Sequence, residues 1–505
     1  QMNRYARIQA VVMSSLLSAA TAAANQSAPQ FKAEVPASIQ TPSTVQTRIG
    51  TLNFADGLPD QAAVQKVYDN IDFSRGVEAF LSGMPAASVY AMCEGLADAG
   101  AVKNKGIGIT ENLLDARSLF LTANTTTVYV FFCVDLSNGP VVAQVPPGVL
   151  GPVDDAFFRY VTDVGIIGPD KGKGGKYLFV PPGYSGGLPA DGYFVTKSST
   201  NTNLVLYRAF VKDGDIAAAV KGVKDHARIY PLSEATPAPE TTFVNLSGKQ
   251  LNTIHANDFH FYEELYNVVQ SEPADAFDPE IVGLFASIGI KKGQQFAPDA
   301  RMKTILTDAV AVGNATARSM VFAPREPRAK FYPDRQWNNG FIGNSYQFLN
   351  EGERMLDART MFHYAATGIT PAMADAKPGT GSAYAFAVRD GAGEYLDGGK
   401  TYKITLPSPI PAGQFWSFTV YDNQTRSMLE TDQKLAGIDS NQPDIKKNED
   451  GSVTIWFSPN APEGHQTNWV QTMPGKGWNT ILRLYAPLEP WFDKSWKPGD
   501  FEKVQ

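Results

Sequence analysis

Two long stretches of this sequence consist of short runs of β-branched and aromatic residues that alternate with turns rich in glycine and proline. They cover about residues 117–212 and the region from 383 onward. Runs of this length and spacing predict antiparallel strands that form sandwiches or barrels. Apolar residues at helical spacing precede the first stretch and recur from about 256 to 325. The order helices, strands, helices, strands favours two β-rich domains joined by a helical segment over a repeated βαβ unit.

The composition is that of a folded globular protein without a nucleic-acid partner. Of the 505 residues, 43% are hydrophobic and 19% are charged, and the formal net charge is −7. Disorder requires lower hydrophobicity and a higher net charge, and no run of Lys and Arg is available to neutralise phosphates. A chain of this length exceeds one hydrophobic core, which again indicates two domains. Five His and two Cys leave little material for a metal site, and no motif indicates a cofactor.

The amino-terminal segment has the pattern of a secretory signal peptide. Two positive charges precede a stretch of small and apolar residues from Ile8 to Ala23, which ends in a run of alanines. We therefore expect a periplasmic or secreted protein with no membrane span in its mature chain. The alternative is a short amphipathic helix that stays attached.

The two cysteines lie in different predicted elements. Cys93 follows a helical pattern of apolar residues, and Cys133 lies in the predicted strand 128–134. Both fit the pattern of small buried hydrophobic residues. An oxidising compartment would also permit a disulfide between them, and the sequence leaves both alternatives open.

These patterns divide the chain into six parts. In chain order we expect a signal peptide (2–25), a linker or arm (26–55), helices with the first β-sandwich (56–255), a helical connector (256–375), the second β-sandwich (376–490) and a C-terminal tail (491–505).

Aromatic-rich segments of this chain resemble two known families. The run Phe415-Trp-Ser-Phe-Thr-Val-Tyr-Asp, followed by Asn468-Trp and by Leu482-Arg-Leu-Tyr-Ala-Pro, resembles the domain of unknown function 1214. The earlier run Ala123-Asn-Thr-Thr-Thr-Val-Tyr, followed by Leu206-Tyr-Arg, resembles the domain of unknown function 1254. Together the two resemblances cover most of residues 60–490.

This resemblance implies a mainly β fold with helical segments (α+β), in which two jelly-roll-like antiparallel β-sandwich domains are joined by a helical connector. It also implies frequent assembly into multimers, so we expect a homo-oligomer, and it implies no settled biochemical activity. One position departs from the family pattern, because this chain has Thr126 where the family usually has an aspartate. A role that depends on that carboxylate is not expected here.

The densest polar cluster lies at the start of a predicted helix, from His255 to Glu263. One hypothesis makes His255, Asp258, His260 and Glu263 catalytic groups that face a pocket between the domains. The alternative is a helix start capped by an Asn or Asp side chain, with the other polar groups in solvent. The His-Glu-x-x-His spacing of zinc proteases is absent, so we predict no metal site.

Polar and aromatic residues on predicted strands are candidates for a ligand-binding groove, because aromatic faces stack on ligands. The candidates are Asn124, Tyr129, Arg208, Trp416, Tyr421, Trp469 and Arg483. The alternative for Trp416 is packing in a sandwich core. For the two arginines it is a structural pairing with a carboxylate or a backbone oxygen.

The leading functional hypothesis is an exported binding or assembly protein with a carbohydrate, lipid-like or protein ligand. The rival hypothesis is an enzyme, such as a hydrolase, that acts in a cleft between the two domains. The Gly-x-Ser-x-Gly run Gly183-Tyr-Ser-Gly-Gly gives it no support, because this run precedes a predicted strand, whereas a nucleophile elbow joins a strand to a helix. The sequence alone leaves open whether the protein is catalytic.

Overall fold

The computed structural model describes residues 33–504. The expected signal peptide, residues 2–25, lies outside the described residues. Between residues 33 and 504 the chain is of the mixed α+β class, with several β-sheets and no closed barrel. The chain divides into two compact units, of which the second begins at Ile71 and contains both β-rich stretches.

The first unit contains a small antiparallel sheet where the sequence predicts a linker. Its strands are β1 (Thr44–Thr47), β2 (Gly50–Ala55) and β3 (Leu58–Pro59), in that order. Gly50 has a φ of 102°, which suits the tight turn between β1 and β2. Within β1 and β2 only Leu52 is buried. The prediction of an extended arm over 26–55 therefore missed this sheet, because the strands bury too little apolar surface to produce a hydropathy pattern.

One helix, α1 (Gln61–Asp98), precedes the first β region and contains Pro85 in its interior. The Asp60 carboxylate accepts a hydrogen bond from the backbone N–H of Ala63 at 2.7 Å and caps the helix start. An interior proline costs a helix about 3 kcal/mol. Met84 and Ala86, on either side of Pro85, are fully buried, and the packing of this turn offsets that cost.

The first β region, residues 106–252, has twelve strands in three sheets. The strands are β4 (Gly106–Ile109), β5 (Ser118–Leu119), β6 (Val128–Asp135), β7 (Val141–Val145), β8 (Leu150–Asp155), β9 (Tyr160–Gly165), β10 (Gly175–Val180), β11 (Phe194–Lys197), β12 (Thr202–Ala209), β13 (Arg228–Pro231), β14 (Thr242–Asn245) and β15 (Leu251–Asn252). A six-stranded sheet has the order β14-β4-β6-β12-β8-β9, a four-stranded sheet has the order β11-β10-β7-β13, and β15 pairs with β5.

Strand β6 is buried on both faces. Val130 and Phe132 pack with residues of the four-stranded sheet, such as Phe179, in one hydrophobic cluster. Because successive side chains of a strand alternate in direction, Tyr129 and Phe131 point the other way. They belong to a second cluster, which includes side chains of the second β region.

After α1, three helices lie between the two β regions and four lie within them. They are α2 (Ile216–His226), α3 (His260–Ser271), α4 (Pro279–Ser287), α5 (Ala300–Phe322), α6 (Leu356–Ala365), α7 (Pro371–Ala374) and α8 (Glu489–Phe492). Single turns of 3₁₀-helix cover Ala37–Ile39, Leu232–Glu234, Pro327–Ala329, Ile342–Asn344 and Gln466–Asn468. Phe80 of α1, Leu265 of α3 and Val310 of α5 share a buried cluster. Within residues 33–504, no helix combines the length and the apolar character that a membrane crossing needs.

The second β region, residues 337–504, has eleven strands. They are β16 (Trp337–Asn338), β17 (Leu349–Asn350), β18 (Glu353–Arg354), β19 (Ser382–Ala387), β20 (Thr401–Leu406), β21 (Ala412–Asp422), β22 (Gly437–Asp439), β23 (Val453–Ser458), β24 (Trp469–Gln471), β25 (Trp478–Pro487) and β26 (Glu502–Val504). A five-stranded sheet has the order β16-β19-β25-β21-β22, a four-stranded sheet has the order β24-β23-β20-β26, and β17 pairs with β18. Residues from both larger sheets form one core.

The segment that the sequence predicts as a tail, 491–505, belongs in its described part to this core. Trp491, Trp496 and Phe501 are at most 5% exposed and pack in the cluster shared by the two sheets. Strand β26 pairs with β20. The sequence showed no sign of this packing because the isolated aromatics of this segment have no strand or helix periodicity, although each one buries a large apolar area.

A disulfide joins α1 to the six-stranded sheet. Its cysteines, Cys93 in α1 and Cys133 in β6, lie 40 residues apart in the chain. Each is 1% exposed. The structure thus combines both alternatives from the sequence, because the cysteines are buried and also bonded.

We expect the double variant Cys93→Ala/Cys133→Ala to lose about 4 kcal/mol of unfolding free energy, because a cross-link over 40 residues restricts the unfolded chain. Urea denaturation followed by tryptophan fluorescence measures this loss. Native protein refolded with dithiothreitol serves as the matched control and should resemble the variant. A double variant as stable as the oxidised native protein would contradict the expectation.

Candidate functional site

A cavity of about 1000 Å³ lies between the six-stranded sheet of the first β region and the five-stranded sheet of the second. Strands β6 and β12 form one wall, and β19, β21 and β25 form the opposite wall. Helix α6 and the chain that follows it complete the enclosure, together with residues of α2 and the end of α5. All of these elements belong to the compact unit that begins at Ile71.

Most of the side chains that line the cavity are apolar. They come from both β regions and from α6, and include Phe120, Phe131, Leu206, Met361, Phe362, Met373, Phe386, Phe415 and Ile481. Concave apolar surfaces of this size are typical of small-molecule sites, in which a few polar groups orient the ligand.

Arg483 of β25 is the centre of the polar part of the wall. Its guanidinium donates hydrogen bonds to Thr419 Oγ1 at 2.9 Å, to Tyr421 Oη at 2.8 Å and to the carbonyl oxygen of Thr122 at 2.6 Å. The Tyr421 hydroxyl in turn donates to the carbonyl oxygen of Ala123 at 2.6 Å. Because Thr122 and Ala123 belong to the first β region's side of the cavity, these bonds connect the two walls.

Asn124 organises the turn that leads into β6. Its Oδ1 accepts hydrogen bonds from the backbone N–H groups of Thr126 at 3.0 Å and Thr127 at 3.1 Å. The Asn124 N–H donates to the hydroxyl of Tyr129 at 3.0 Å, and burial raises the pKa of this tyrosine to about 12. The hydroxyl of Thr126 lies 3.2 Å from Tyr485 Oη. A hydroxyl pair thus occupies the position where the family pattern has a carboxylate.

Comparison with known families finds one match on each side of this cavity. Two family profiles match, "Protein of unknown function (DUF1254)" over residues 106–231 and "Protein of unknown function (DUF1214)" over residues 381–489. The chain therefore carries a DUF1254 domain followed by a DUF1214 domain. This confirms the resemblance seen in the aromatic-rich motifs. One cavity wall belongs to each domain, with Arg208 on the DUF1254 side and Arg483 on the DUF1214 side.

A solved structure shares this fold at low sequence identity. The VPA0106 protein from Vibrio parahaemolyticus is 18% identical with a TM-score of 0.54, and the match covers 86% of this chain and 100% of that one. An uncharacterised protein from Burkholderia cenocepacia is 13% identical with a TM-score of 0.36, covering 87% of this chain and 96% of that one. No curated protein matches the chain.

The structure brings five of the seven predicted ligand-binding residues to the cavity wall. They are Asn124, Tyr129, Arg208, Tyr421 and Arg483. Trp416 is 4% exposed and packs in the core of the DUF1214 domain, as the alternative interpretation expects. Trp469 donates its indole N–H to the carbonyl oxygen of Ser458 at 3.0 Å and does not line the cavity.

The four predicted catalytic residues lie elsewhere, and none of them lines the cavity. His255 is buried, and burial lowers its pKa to about 3, so its ring is neutral at physiological pH. Asp258 Oδ1 accepts the backbone N–H of His260 at 3.0 Å, at the start of α3. His260 and Glu263 pair on the exposed face of that helix at 2.5 Å. Asp258, His260 and Glu263 thus fit the helix-start alternative, whereas the buried His255 does not. Within residues 33–504, no group of three or more His, Cys, Asp or Glu side chains is arranged to hold a metal ion.

Tyr485, an aromatic strand residue that the sequence also offers for a ligand groove, lines the cavity, whereas sequence reasoning missed Tyr384 and Arg426. The alternation Ser-Ala-Tyr-Ala-Phe-Ala in β19 predicts that Tyr384 and Phe386 share a face, and both line the cavity. Arg426 lies in a loop after β21 with a φ of 62°, and no sequence pattern indicates its position.

We expect the variant Glu264→Gln to gain stability relative to the native protein as pH rises from about 4.5 to 7. Burial raises the pKa of Glu264 from 4.5 to about 7, so in this window the folded state keeps a proton that the unfolded chain releases. The native protein therefore loses up to about 3 kcal/mol that the glutamine variant retains. Glutamine can still accept the Ala256 N–H that Glu264 binds.

Urea denaturation at several pH values between 4 and 8 checks this expectation. The matched control is Glu263→Gln, one residue earlier on the same helix, because the Glu263 side chain is 52% exposed. Parallel pH profiles for the native protein and Glu264→Gln would contradict the assignment.

We expect Tyr421→Phe to lower the unfolding free energy by about 2 kcal/mol, because it removes the hydrogen bonds to Ala123 and from Arg483. Urea denaturation measures the change. Tyr395→Phe is the control, since Tyr395 is 49% exposed and its hydroxyl makes no hydrogen bond within residues 33–504. Equal stabilities of the two variants would show that the bonds across the cavity contribute nothing.

Proposed function

We propose that this protein is an exported binding protein that holds a lipid-like small molecule in the cavity between its DUF1254 and DUF1214 domains. The observation that carries the proposal is the apolar cavity of about 1000 Å³. A lipid-like ligand suits these walls better than a glycan, because sugar hydroxyls need many polar partners and most of the lining is apolar.

Export is part of this proposal. The disulfide between Cys93 and Cys133 supports it, because such bonds persist in oxidising compartments. The amino-terminal pattern of charge followed by small apolar residues supports it as well.

The proposal also includes jelly-roll-like sandwiches and self-association. In each β region the two larger sheets share one hydrophobic core, which supports a sandwich architecture. The expectation of a homo-oligomer rests on the family resemblance, and light scattering of the purified protein measures it directly.

An enzyme that uses His255, Asp258, His260 and Glu263 has less support. These side chains are not part of the cavity wall, and His260 and Glu263 lie on an exposed helix face. A catalytic group must reach the substrate within hydrogen-bond distance. We therefore favour binding over catalysis.

We expect the native protein to bind the neutral fluorescent probe N-phenyl-1-naphthylamine, with a rise in fluorescence as the probe leaves water. The variant Leu206→Trp, on one cavity wall, should weaken this binding at least tenfold, because an indole fills space that the probe needs. Ile481→Trp should do the same from the opposite wall.

The matched control is Val195→Trp, which places the same side chain at a position that is 48% exposed and away from the cavity. Melting temperatures show whether each variant folds. The proposal fails if the native protein does not bind the probe, or if both cavity variants fold and bind it as tightly as the control.

A further inference from the structure

The charged side chains that line the cavity all carry the same sign. They are Arg208, Lys212, Arg426 and Arg483, and no Asp or Glu of the described residues belongs to the wall. Burying a charge costs free energy unless an opposite charge or hydrogen bonds compensate. The cavity is therefore apolar and cationic, without a carboxylate of its own to balance the arginines.

Arg483 has hydrogen bonds but no opposite charge. All three of its acceptors, the oxygens of Thr419, Tyr421 and Thr122, are neutral. These bonds hold the guanidinium in one position. Arg483 thus contributes a fixed positive charge at the wall.

Arg208 differs because its guanidinium has no hydrogen-bond or ion-pair partner within residues 33–504. It lies on β12, in register with Tyr129 of β6. Burial opposes its charge, but the electrostatic influence of Tyr384, Tyr129 and Tyr485 keeps its pKa above the ordinary value for arginine. Arg208 lines the cavity from β12 on one wall, and Arg483 lines it from β25 on the opposite wall. Arg208 presents free N–H donors to the cavity.

Arg426 is a weaker candidate for contact with a ligand. It is 4% exposed, its Nε donates to the carbonyl oxygen of Tyr364 at 2.8 Å, and its guanidinium stacks 3.9 Å from the centre of the Tyr364 ring. Its remaining Nη2 is covered by protein and has no partner in the described chain. Among the cavity arginines, Arg208 therefore has the donors that a ligand can reach.

We propose that the ligand is an organic anion with an apolar body, whose charged group is bound by Arg208, with the fixed charge of Arg483 on the opposite wall. This inference rests on the proposed function and deepens it by naming the ligand class. The planar guanidinium pairs with the two oxygens of a carboxylate, or with those of a phosphate or sulfate ester. The apolar walls of both domains would cover the hydrocarbon part.

Displacement of N-phenyl-1-naphthylamine by matched ten-carbon compounds tests the inference. The native protein should bind decanoate at least tenfold more tightly than decanol. Decyl phosphate in a third arm shows which anionic head group is preferred. The variant Arg208→Gln should weaken decanoate binding at least tenfold and leave decanol binding unchanged, whereas Arg208→Lys should retain part of the preference.

Lys434→Gln is the control, since it removes one positive charge from an exposed position that does not line the cavity. It should keep the preference for decanoate. Equal loss in Arg208→Gln and Lys434→Gln would indicate general attraction and overturn the role of Arg208. Melting temperatures verify folding, and Arg208→Lys stands in if the glutamine variant does not fold.

The two proposals fail in different ways. If native protein binds the neutral probe and decanol as tightly as decanoate and decyl phosphate, the anion inference is wrong and the binding function stands. If native protein binds none of these compounds, the binding function itself fails.

Discussion

The two-sided burial of strand β6 is the constraint on which the rest of the structure depends. Its run Val-Tyr-Val-Phe-Phe-Cys-Val has no polar residue, so neither face of the six-stranded sheet can meet water at this point. One face is covered by the four-stranded sheet of the same domain. The other needs α1 and the second β region. The DUF1254 domain is therefore completed by the rest of the chain, which agrees with one compact unit from Ile71 onward.

The cavity exists because this second interface is incompletely filled. Cys93 of α1, Phe131 of β6 and Ile481 of β25 share one buried cluster, and Phe131 and Ile481 also line the cavity. Hydrogen bonds from Arg483 and Tyr421 to backbone oxygens hold the walls together at that point. Because the Arg483 guanidinium bonds only neutral oxygens, these bonds stabilise the contact between the walls and leave the positive charge of Arg483 uncompensated. The same contacts thus join the domains and leave the site electropositive.

Sequence patterns predicted the parts of the fold that rest on local chemistry. Strand-rich stretches follow from β-branched runs, and an arginine within an apolar strand marked both Arg208 and Arg483. The patterns could not predict those features of the fold that depend on contacts between residues far apart in the chain. Pro85 would end an isolated helix, yet buried neighbours keep α1 continuous. Strand alternation puts Trp416 and Tyr421 on opposite faces of β21, but only the pairing of sheets decides which face meets a core and which a cavity.

The burial of Trp491, Trp496 and Phe501 has a consequence for how the protein is made. The core of the DUF1214 domain lacks three large aromatics until residue 501 has left the ribosome. The five-stranded sheet shares that core on one face and carries Arg483 and Tyr421 on the other. This wall of the cavity therefore becomes ordered late in biosynthesis, and a product shortened before Trp491 would lack part of the core that supports it.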